Sequence, residues 1–177
     1  MPPKSPLTRC GGTMTESAYL AWIRSALRSK SLRWPPRNAA LVAARRPYKG
    51  SNKLQKWEFK CAICESYFKA KEVVVDHWPE AAGSIIHFED IGQFCNNLYC
   101  EVDNLRVLCK GDHDIHTLAE KQGISFEEAK VEKEILAIMK KSVKEVVAFI
   151  VENGYNSSEA SNSIKRRALV GKIIKGE

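Results

Sequence analysis

Apolar residues recur with a helical period in the first part of the chain. A helix is predicted to begin near Thr15 and to end before the Trp34-Pro35-Pro36 run, because the residue before a proline avoids helical backbone angles. Its apolar face carries Tyr19, Leu20, Ile23 and Leu27. A short second helix is predicted over residues 37–44. Residues 1–14 are rich in Pro, Gly, Ser and Thr, so we expect them to be disordered.

The middle of the chain has short apolar runs in place of a helical period. Residues 73–77 read Val-Val-Val-Asp-His and predict a strand that ends in two polar side chains. Residues 105–108 predict a second strand, and the segment 80–100 between the two is predicted to be a loop. A helix is predicted over residues 112–120, after the second strand.

Two capping boxes mark helices near the C-terminus. Ser125 is followed three residues later by Glu128, and Ser142 by Glu145, each just before an apolar run. We therefore predict two amphipathic helices in this region. The tail from Asn156 onwards is rich in Ser and Asn and then basic, and we expect it to be loosely ordered unless binding makes part of it helical.

Charge divides the chain more sharply than hydrophobicity does. Residues 1–60 carry 13 Lys and Arg against two acidic residues, whereas residues 61–122 carry five against 11. We therefore predict a basic N-terminal helical arm (residues 1–56), a central core (residues 57–122), and C-terminal helices with a basic tail (residues 123–177). The basic arm suggests binding to a polyanion, and the acidic centre suggests a site for cations.

Neither a signal peptide nor a membrane span is predicted. The N-terminus is basic and Pro-rich without an apolar stretch behind it, and no apolar run reaches the ~18 residues that a span needs. We expect a cytoplasmic protein with no membrane partner. In that compartment the Cys61-Ala-Ile-Cys64 sequence favours metal or redox chemistry over a structural disulfide.

Chemistry-bearing residues follow one another in a fixed order along the central segment. They are Cys61 and Cys64, then Asp76 and His77, then Asn104, Cys109 and His113. Asp76 and His77 are adjacent at a strand end, so their side chains point to opposite sides. A carboxylate and an imidazole can hold a divalent ion, while a separate imidazole deprotonates water. Each residue alone is compatible with a purely structural role, and it is their joint order that indicates a site.

This order resembles that of the HNH endonuclease family, the ββα-metal nucleases. The resemblance covers residues 57–120, about a third of the chain. It rests on Cys61-Ala-Ile-Cys64, Val75-Asp76-His77, Asn104-Leu105-Arg106-Val107-Leu108-Cys109 and His113-Asp114-Ile115-His116-Thr117. The flank from Arg45 to Glu58 also resembles the lead-in of HNH proteins encoded by tailed phages. The fold implied is α+β, a small ββα-metal hairpin-helix core with flanking helices.

The resemblance also implies a role for each residue of the site. His77 would be the general base that activates water, and Asn104 would orient its imidazole. Asp76 and His113 would bind the catalytic ion, which we expect to be Mg²⁺, with Mn²⁺ or Ni²⁺ as substitutes. The products would carry 3′-hydroxyl and 5′-phosphate ends.

A structural zinc ion is the second metal that the resemblance implies. Cys61, Cys64 and Cys109 would supply three ligands. The family's second cysteine pair is Cys-x2-Cys, whereas this chain has Asp112 at the last position. The fourth ligand is therefore Asp112, His116 or neither. A further departure is the Asp-His-Trp-Pro sequence, which is one residue shorter than the usual spacing to proline and alters the loop after the base.

The expected substrate is double-stranded DNA, bound through the arm. Arg45, Arg46, Lys49 and Lys53 are the expected DNA-binding residues, together with Arg106 beside the site. One hairpin cuts one strand, so a double-strand cut needs a homodimer or two sequential events. Three other functions stay open at this point: a junction-resolving nuclease, a packaging accessory that acts with a phage terminase, and a zinc module that binds DNA without cutting it.

Overall fold

The first helix begins where a side chain replaces a missing backbone partner. In the computed structural model, which describes residues 5–77 and 87–176, the Thr15 side chain accepts a hydrogen bond from the Ala18 N–H at 3.2 Å. Helix α1 spans Glu16–Ser31. Helix α2 spans Pro35–Ala44 and opens with two prolines, at positions where the missing N–H has no helical partner to lose. Both predicted N-terminal helices are confirmed, and α2 begins slightly earlier than expected.

The segment before α1 is ordered where disorder was expected. Strand β1 (Leu7–Arg9) pairs antiparallel with β2 (Met14–Thr15). The Arg9 guanidinium forms an ion pair with Glu16 and lies 4.9 Å from the centre of the Tyr19 ring, which ties this hairpin to α1. The prediction of disorder was therefore wrong for residues 5–14, and residues 1–4 lie outside the described residues.

Two antiparallel sheets support the centre of the chain. The first contains β3 (Arg45–Pro47), β4 (Trp57–Lys60) and β5 (Tyr67–Phe68), in that order. The second pairs β6 (Val73–His77) with β7 (Leu105–Cys109), from Val73 opposite Cys109 to His77 opposite Leu105. Both strands predicted around the site are confirmed.

Helix α2 packs on this two-stranded sheet. Ala40 of α2 forms a buried cluster with Val73, Val75 and Val107, which project from the same face of the sheet. This packing fixes α2 beside the end of β6 that carries Asp76 and His77.

A helix occupies most of the described part of the segment that was predicted to be a loop. Helix α3 spans Asp90–Leu98, whereas residues 80–86 lie outside the described residues. Phe94 and Leu98 are each 3% exposed and pack against Leu20 of α1. The i, i+4 spacing of these two apolar residues was the sequence signal for a helix. Gly92 and a first turn without a side-chain cap obscured it.

The regular secondary structure described after Cys109 consists of helices. Helix α4 spans Lys110–Gln122, and the helices after it are α5 (Phe126–Met139), α6 (Val143–Glu152) and α7 (Ser163–Lys175). Both capping boxes are confirmed, since Ser125 and Ser142 accept hydrogen bonds from Glu128 and Glu145 backbone N–H groups.

The basic tail is folded, so the expectation of loose order was wrong. Leu169 and Val170 of α7 are buried in a cluster with Ile135 and Ile150, and the Asn162 side chain caps the helix. The apolar pair was the available signal, and the polar linker before it hid the start of the helix.

The chain contains two compact units, with the boundary between Lys110 and Gly111 in the first turn of α4. Its mixture of helices and antiparallel sheets confirms the α+β class. Within residues 5–77 and 87–176, no helix combines the length and the apolar character needed to cross a bilayer.

Candidate functional site

The site is built at the end of strand β6. The His77 Nε2 atom lies 3.1 Å from the backbone carbonyl oxygen of Leu98, the last residue of α3. A carbonyl oxygen can only accept a hydrogen bond, so this contact places the imidazole proton on Nε2. In the neutral ring the Nδ1 atom is then the basic nitrogen. This Nδ1 atom forms no hydrogen bond with another described residue.

Asp76 faces the other side of the sheet and meets an arginine from the neighbouring strand. The Arg106 Nε and Nη2 atoms lie 3.3 Å and 3.2 Å from the same oxygen of Asp76, Oδ2. The two residues are directly opposite in the ladder, and their side chains are 17% and 18% exposed. Arg106 was expected to contact phosphate. In this structure its guanidinium neutralises the carboxylate that was expected to bind metal.

The short segment that carries the Leu98 carbonyl is fixed by the N-terminal helices. The Tyr99 hydroxyl donates a hydrogen bond to the Leu27 carbonyl at 3.0 Å, and the Trp34 indole N–H donates to the Cys100 carbonyl at 2.8 Å. The Trp34 and Tyr99 rings meet edge to face, with their centres 5.4 Å apart. The arm therefore supports the backbone that orients His77.

A second arginine lies near Asp76. Arg37 is one turn before Ala40 on the face of α2 that packs against β6 and β7. Burial lowers the pKa of its guanidinium, and the Asp76 charge opposes that change. Arg37 remains a cation, so the surroundings of Asp76 hold two positive charges. Burial also raises the pKa of the Cys100 thiol, which disfavours its reactive thiolate.

The other two residues predicted to belong to the site flank strand β7 in the sequence. Asn104 ends a short 3-10 turn and directly precedes Leu105, the residue paired with His77. The fold therefore brings Asn104 to the same end of the sheet as His77. His113 lies in the first turns of α4, half-buried, with its Nδ1 atom 4.0 Å from Asp114 Oδ1.

A cluster of three thiols and one carboxylate forms at the opposite end of β7. Ligand atoms of Cys61, Cys64, Cys109 and Asp112 all lie within 4.8 Å of one another. A tetrahedral zinc ion with Zn–S bonds of ~2.3 Å needs ligand atoms about 3.8 Å apart, so the donor set fits such an ion. Cys61 and Cys109 are buried, and Asp112 follows Cys109 by one helical turn. This cluster is able to hold a metal ion.

The structure distinguishes between the two proposed fourth ligands. Asp112 belongs to the cluster, whereas the His116 Nδ1 atom lies 2.9 Å from Glu120 one turn further along α4. Cys95 and Cys100 are not part of the group found among the described residues, and both are free thiols.

The expected DNA-binding residues differ in their surroundings. Arg46 forms an ion pair with the buried Glu58 at 2.6 Å and stacks on Tyr67. The Arg45 guanidinium lies 4.3 Å from the centre of the Trp57 ring. Lys49 and Lys53 are exposed in the turn between β3 and β4.

Three groups near His77 and Asp76 were not predicted as parts of the site. The Leu98 carbonyl has no signal in the sequence, because any residue supplies a backbone carbonyl. Trp34 was visible as an aromatic residue beside two prolines, and Arg37 as a charge on an otherwise apolar helix face. Their positions depend on the packing of α1 and α2, which local sequence patterns do not encode.

No protein-family model matches this chain, and no significant match was found among curated proteins or solved structures. The chemistry therefore has to be argued from the arrangement of its own residues.

Proposed function

We propose that this protein is a metal-dependent endonuclease that hydrolyses phosphodiester bonds in double-stranded DNA. The observation that carries the proposal is the contact between His77 Nε2 and the Leu98 carbonyl, which leaves Nδ1 as the proton acceptor on the residue that follows Asp76 in β6. The order of a hairpin, β6 and β7, followed directly by α4 supports an HNH-type ββα core.

His77 performs the proton transfer in this proposal. Its Nδ1 atom takes a proton from the attacking water, and the ring becomes an imidazolium. The Leu98 carbonyl stabilises that cation through the Nε2–H and prevents the ring from turning. The role proposed for Asn104, at the same end of the sheet, is to help orient the His77 imidazole.

Asp76 and His113 would hold a divalent ion, with Mg²⁺ preferred and Mn²⁺ or Ni²⁺ as substitutes. When bound, the ion stabilises the negative charge that develops on the phosphate and on the leaving 3′-oxygen. Arg106 occupies one oxygen of Asp76 in this structure, so it competes with the ion for that carboxylate. We assign to the same guanidinium the role of neutralising a phosphate close to Asp76.

Zinc is the ion that we propose for the second cluster. Three thiolates and one carboxylate suit zinc better than the hard ions Mg²⁺ and Ca²⁺, which prefer oxygen ligands. The role proposed for it is structural, since four protein ligands leave no open position for a substrate.

The biological setting proposed is a phage-encoded enzyme in the cytoplasm of its host. DNA binding is assigned to the basic arm, with Lys49 and Lys53 exposed and Arg45 stacked on Trp57. The contribution of Arg46 is smaller than its charge suggests, because Glu58 offsets it.

A supercoiled-plasmid assay tests the function directly. The purified protein is incubated with Mg²⁺, Mn²⁺, Zn²⁺ or EDTA, and open-circular and linear products are measured over time. We expect cleavage with Mg²⁺ or Mn²⁺, none with EDTA, and nicked circles before linear DNA. His77→Ala serves as the inactive control. The absence of cleavage with every ion, in a folded protein, would reject the proposal.

The ion pair between Asp76 and Arg106 favours one alternative, a zinc module that binds DNA without cutting it. An ion pair with a purely structural role at the end of a strand would have the same geometry as the Asp76–Arg106 pair. Metal-independent DNA binding without cleavage would identify this alternative. Linear and four-way DNA substrates in the same assay separate a junction-resolving enzyme from one that cuts ordinary duplex. Cleavage that appears only when terminase is added would identify a packaging accessory.

A further inference from the structure

A basic cleft lies beside the three-stranded sheet, and its lining includes neither His77 and Asp76 nor the thiol cluster. It has a volume of about 440 Å³ and is lined by Asn52, residues 54–57, Phe59 and residues 69–71. Lys56, Lys69 and Lys71 line it from two separate parts of the chain. The fold, rather than local sequence, brings these three lysines together.

No acidic side chain in the lining of the cleft offsets the positive charge of its lysines. None of the lining residues is acidic, although the segment 61–122 as a whole is net negative. Among the residues that the structure describes, the side chains of Lys56, Lys69 and Lys71 form no ion pair. The nearby Glu72 carboxylate accepts a hydrogen bond from the Lys69 backbone N–H at 3.1 Å and caps that turn. The three ammonium groups are therefore available to an external anion.

An aromatic and arginine pair forms one edge of the same cleft. Trp57 lines the cleft and is 40% exposed, and the Arg45 guanidinium is held 4.3 Å from the centre of its ring. Attraction between the guanidinium and the face of the indole, worth ~0.5–1 kcal/mol at exposed sites, limits the freedom of Arg45. The edge of the cleft thus carries a fourth cation in a restricted position.

We propose that this cleft binds the phosphate backbone of duplex DNA through Lys56, Lys69 and Lys71, with Arg45 at its edge. Several lysines without a matching acid suit a polyanion, since each ammonium acts as a point charge with no fixed geometry. A small anionic ligand is usually held in a site that buries most of its surface, whereas these three lysines are exposed.

The cleft lies close enough in the sequence to Asp76 for one DNA molecule to contact both the cleft and the proposed nuclease site. Lys71 precedes Asp76 by five residues, so the two lie at most about 17 Å apart at ~3.3 Å per residue. That upper limit corresponds to about five base-pair rises of ~3.4 Å, so both positions are within reach of a short stretch of one duplex. This last step rests on the proposed function, whereas the cleft itself does not.

The test is DNA binding at several salt concentrations, measured by fluorescence anisotropy of a labelled duplex in EDTA so that cleavage cannot occur. The cleft variant is Lys56→Gln/Lys69→Gln/Lys71→Gln. The matched control is Lys140→Gln/Lys141→Gln/Lys144→Gln, which removes the same charge from exposed positions of the C-terminal unit. In the cleft variant only, we expect the slope of log K against log salt to fall by ~0.9 for each phosphate that is no longer neutralised.

Further variants protect the test against a folding defect. Lys56→Arg/Lys69→Arg/Lys71→Arg should retain the wild-type slope, because it keeps the charges. Tryptophan fluorescence should change on addition of DNA in the wild type, and Trp57→Phe should remove most of that change. Equal slopes for the cleft variant and the control would overturn the proposal.

The outcome is separable from that of the proposed function. A change of slope in the cleft variant, without plasmid cleavage by the wild type, would support the DNA-binding cleft and reject the nuclease proposal. Plasmid cleavage by the wild type, together with a wild-type slope for the cleft variant, would reject the DNA-binding cleft and leave the nuclease proposal standing.

Discussion

The Leu98 carbonyl oxygen lies 3.1 Å from His77 Nε2, so the C-terminus of α3 determines which nitrogen of this histidine carries the proton. Because Nδ1 is then the basic atom, His77→Ala should reduce DNA cleavage by ~10²–10⁴-fold, as expected for loss of a general base. Folding and DNA affinity should be nearly unchanged, since the side chain is outside the apolar clusters. His87→Ala is the matched control. Cleavage near the wild-type rate by folded His77→Ala protein would refute the assignment.

The residues that hold the Leu98 segment should affect catalysis from a distance. Trp34→Phe keeps an aromatic ring and removes the hydrogen bond to the Cys100 carbonyl. Because the Leu98 segment is then held less firmly, we expect kcat to fall about fivefold, equivalent to ~1 kcal/mol of lost transition-state stabilisation, with KM unchanged. Trp22→Phe, at an exposed position of α1, should change neither quantity.

Arg106 should oppose ion binding at Asp76. Arg106→Gln removes the cation that occupies Asp76 Oδ2. The concentration of Mg²⁺ needed for half-maximal cleavage should then fall about fivefold, equivalent to the ~1 kcal/mol that a partly exposed ion pair contributes. DNA affinity should fall at the same time. An unchanged or higher Mg²⁺ requirement would show that the ion pair does not compete with the ion.

The Cys61–Cys64–Cys109–Asp112 cluster should bind zinc tightly. Protein purified without chelator should contain about one equivalent of zinc by elemental analysis. Cys64→Ser should lower both zinc content and Tm, whereas Cys95→Ser, outside the cluster, should lower neither. Asp112→Ala should weaken zinc binding and His116→Ala should not. The reverse result for this last pair would move the fourth ligand to His116.

Two carboxylates should make the C-terminal unit sensitive to acid. Hydrogen bonds from Ser125 and Ser142 lower the pKa of Glu128 and Glu145 below the ordinary value for glutamate. A depressed folded-state pKa contributes stability that is present above the unfolded-state pKa and is lost as the pH falls through the folded-state value. The Tm should therefore decrease below about pH 4.5. In Glu128→Gln/Glu145→Gln this part of the pH dependence should be absent.

Local patterns predicted those parts of the fold that depend on neighbouring residues. The Thr15 cap, the Ser125 and Ser142 capping boxes and the strand ending at His77 are each encoded within a few positions, and all are present. The sequence left the fourth ligand open between Asp112, His116 and neither, and the structure places Asp112 in the cluster.

The remaining features depend on packing between distant segments. Helix α3 is stabilised by burial of Phe94 and Leu98 against Leu20, which is far away in the sequence. The pairing of Arg106 with Asp76 requires the register of β6 and β7, which no local pattern specifies. The order of α7 likewise comes from burial of Val170 in the helical core, not from its basic composition.

Strand β7 connects the thiol cluster with the end of the sheet that carries His77. Cys109, at one end, contributes to the thiol cluster, and Leu105, at the other, is paired with His77. A slip of one residue in the pairing would turn every side chain of the strand to the opposite face and separate Arg106 from Asp76. An ion held by the thiol cluster, as proposed above, would oppose that slip by anchoring one end of the strand. In the proposed nuclease, loss of zinc should therefore disturb the alignment of His77 and its neighbours, which would link this site to the supply of an ion with a purely structural role.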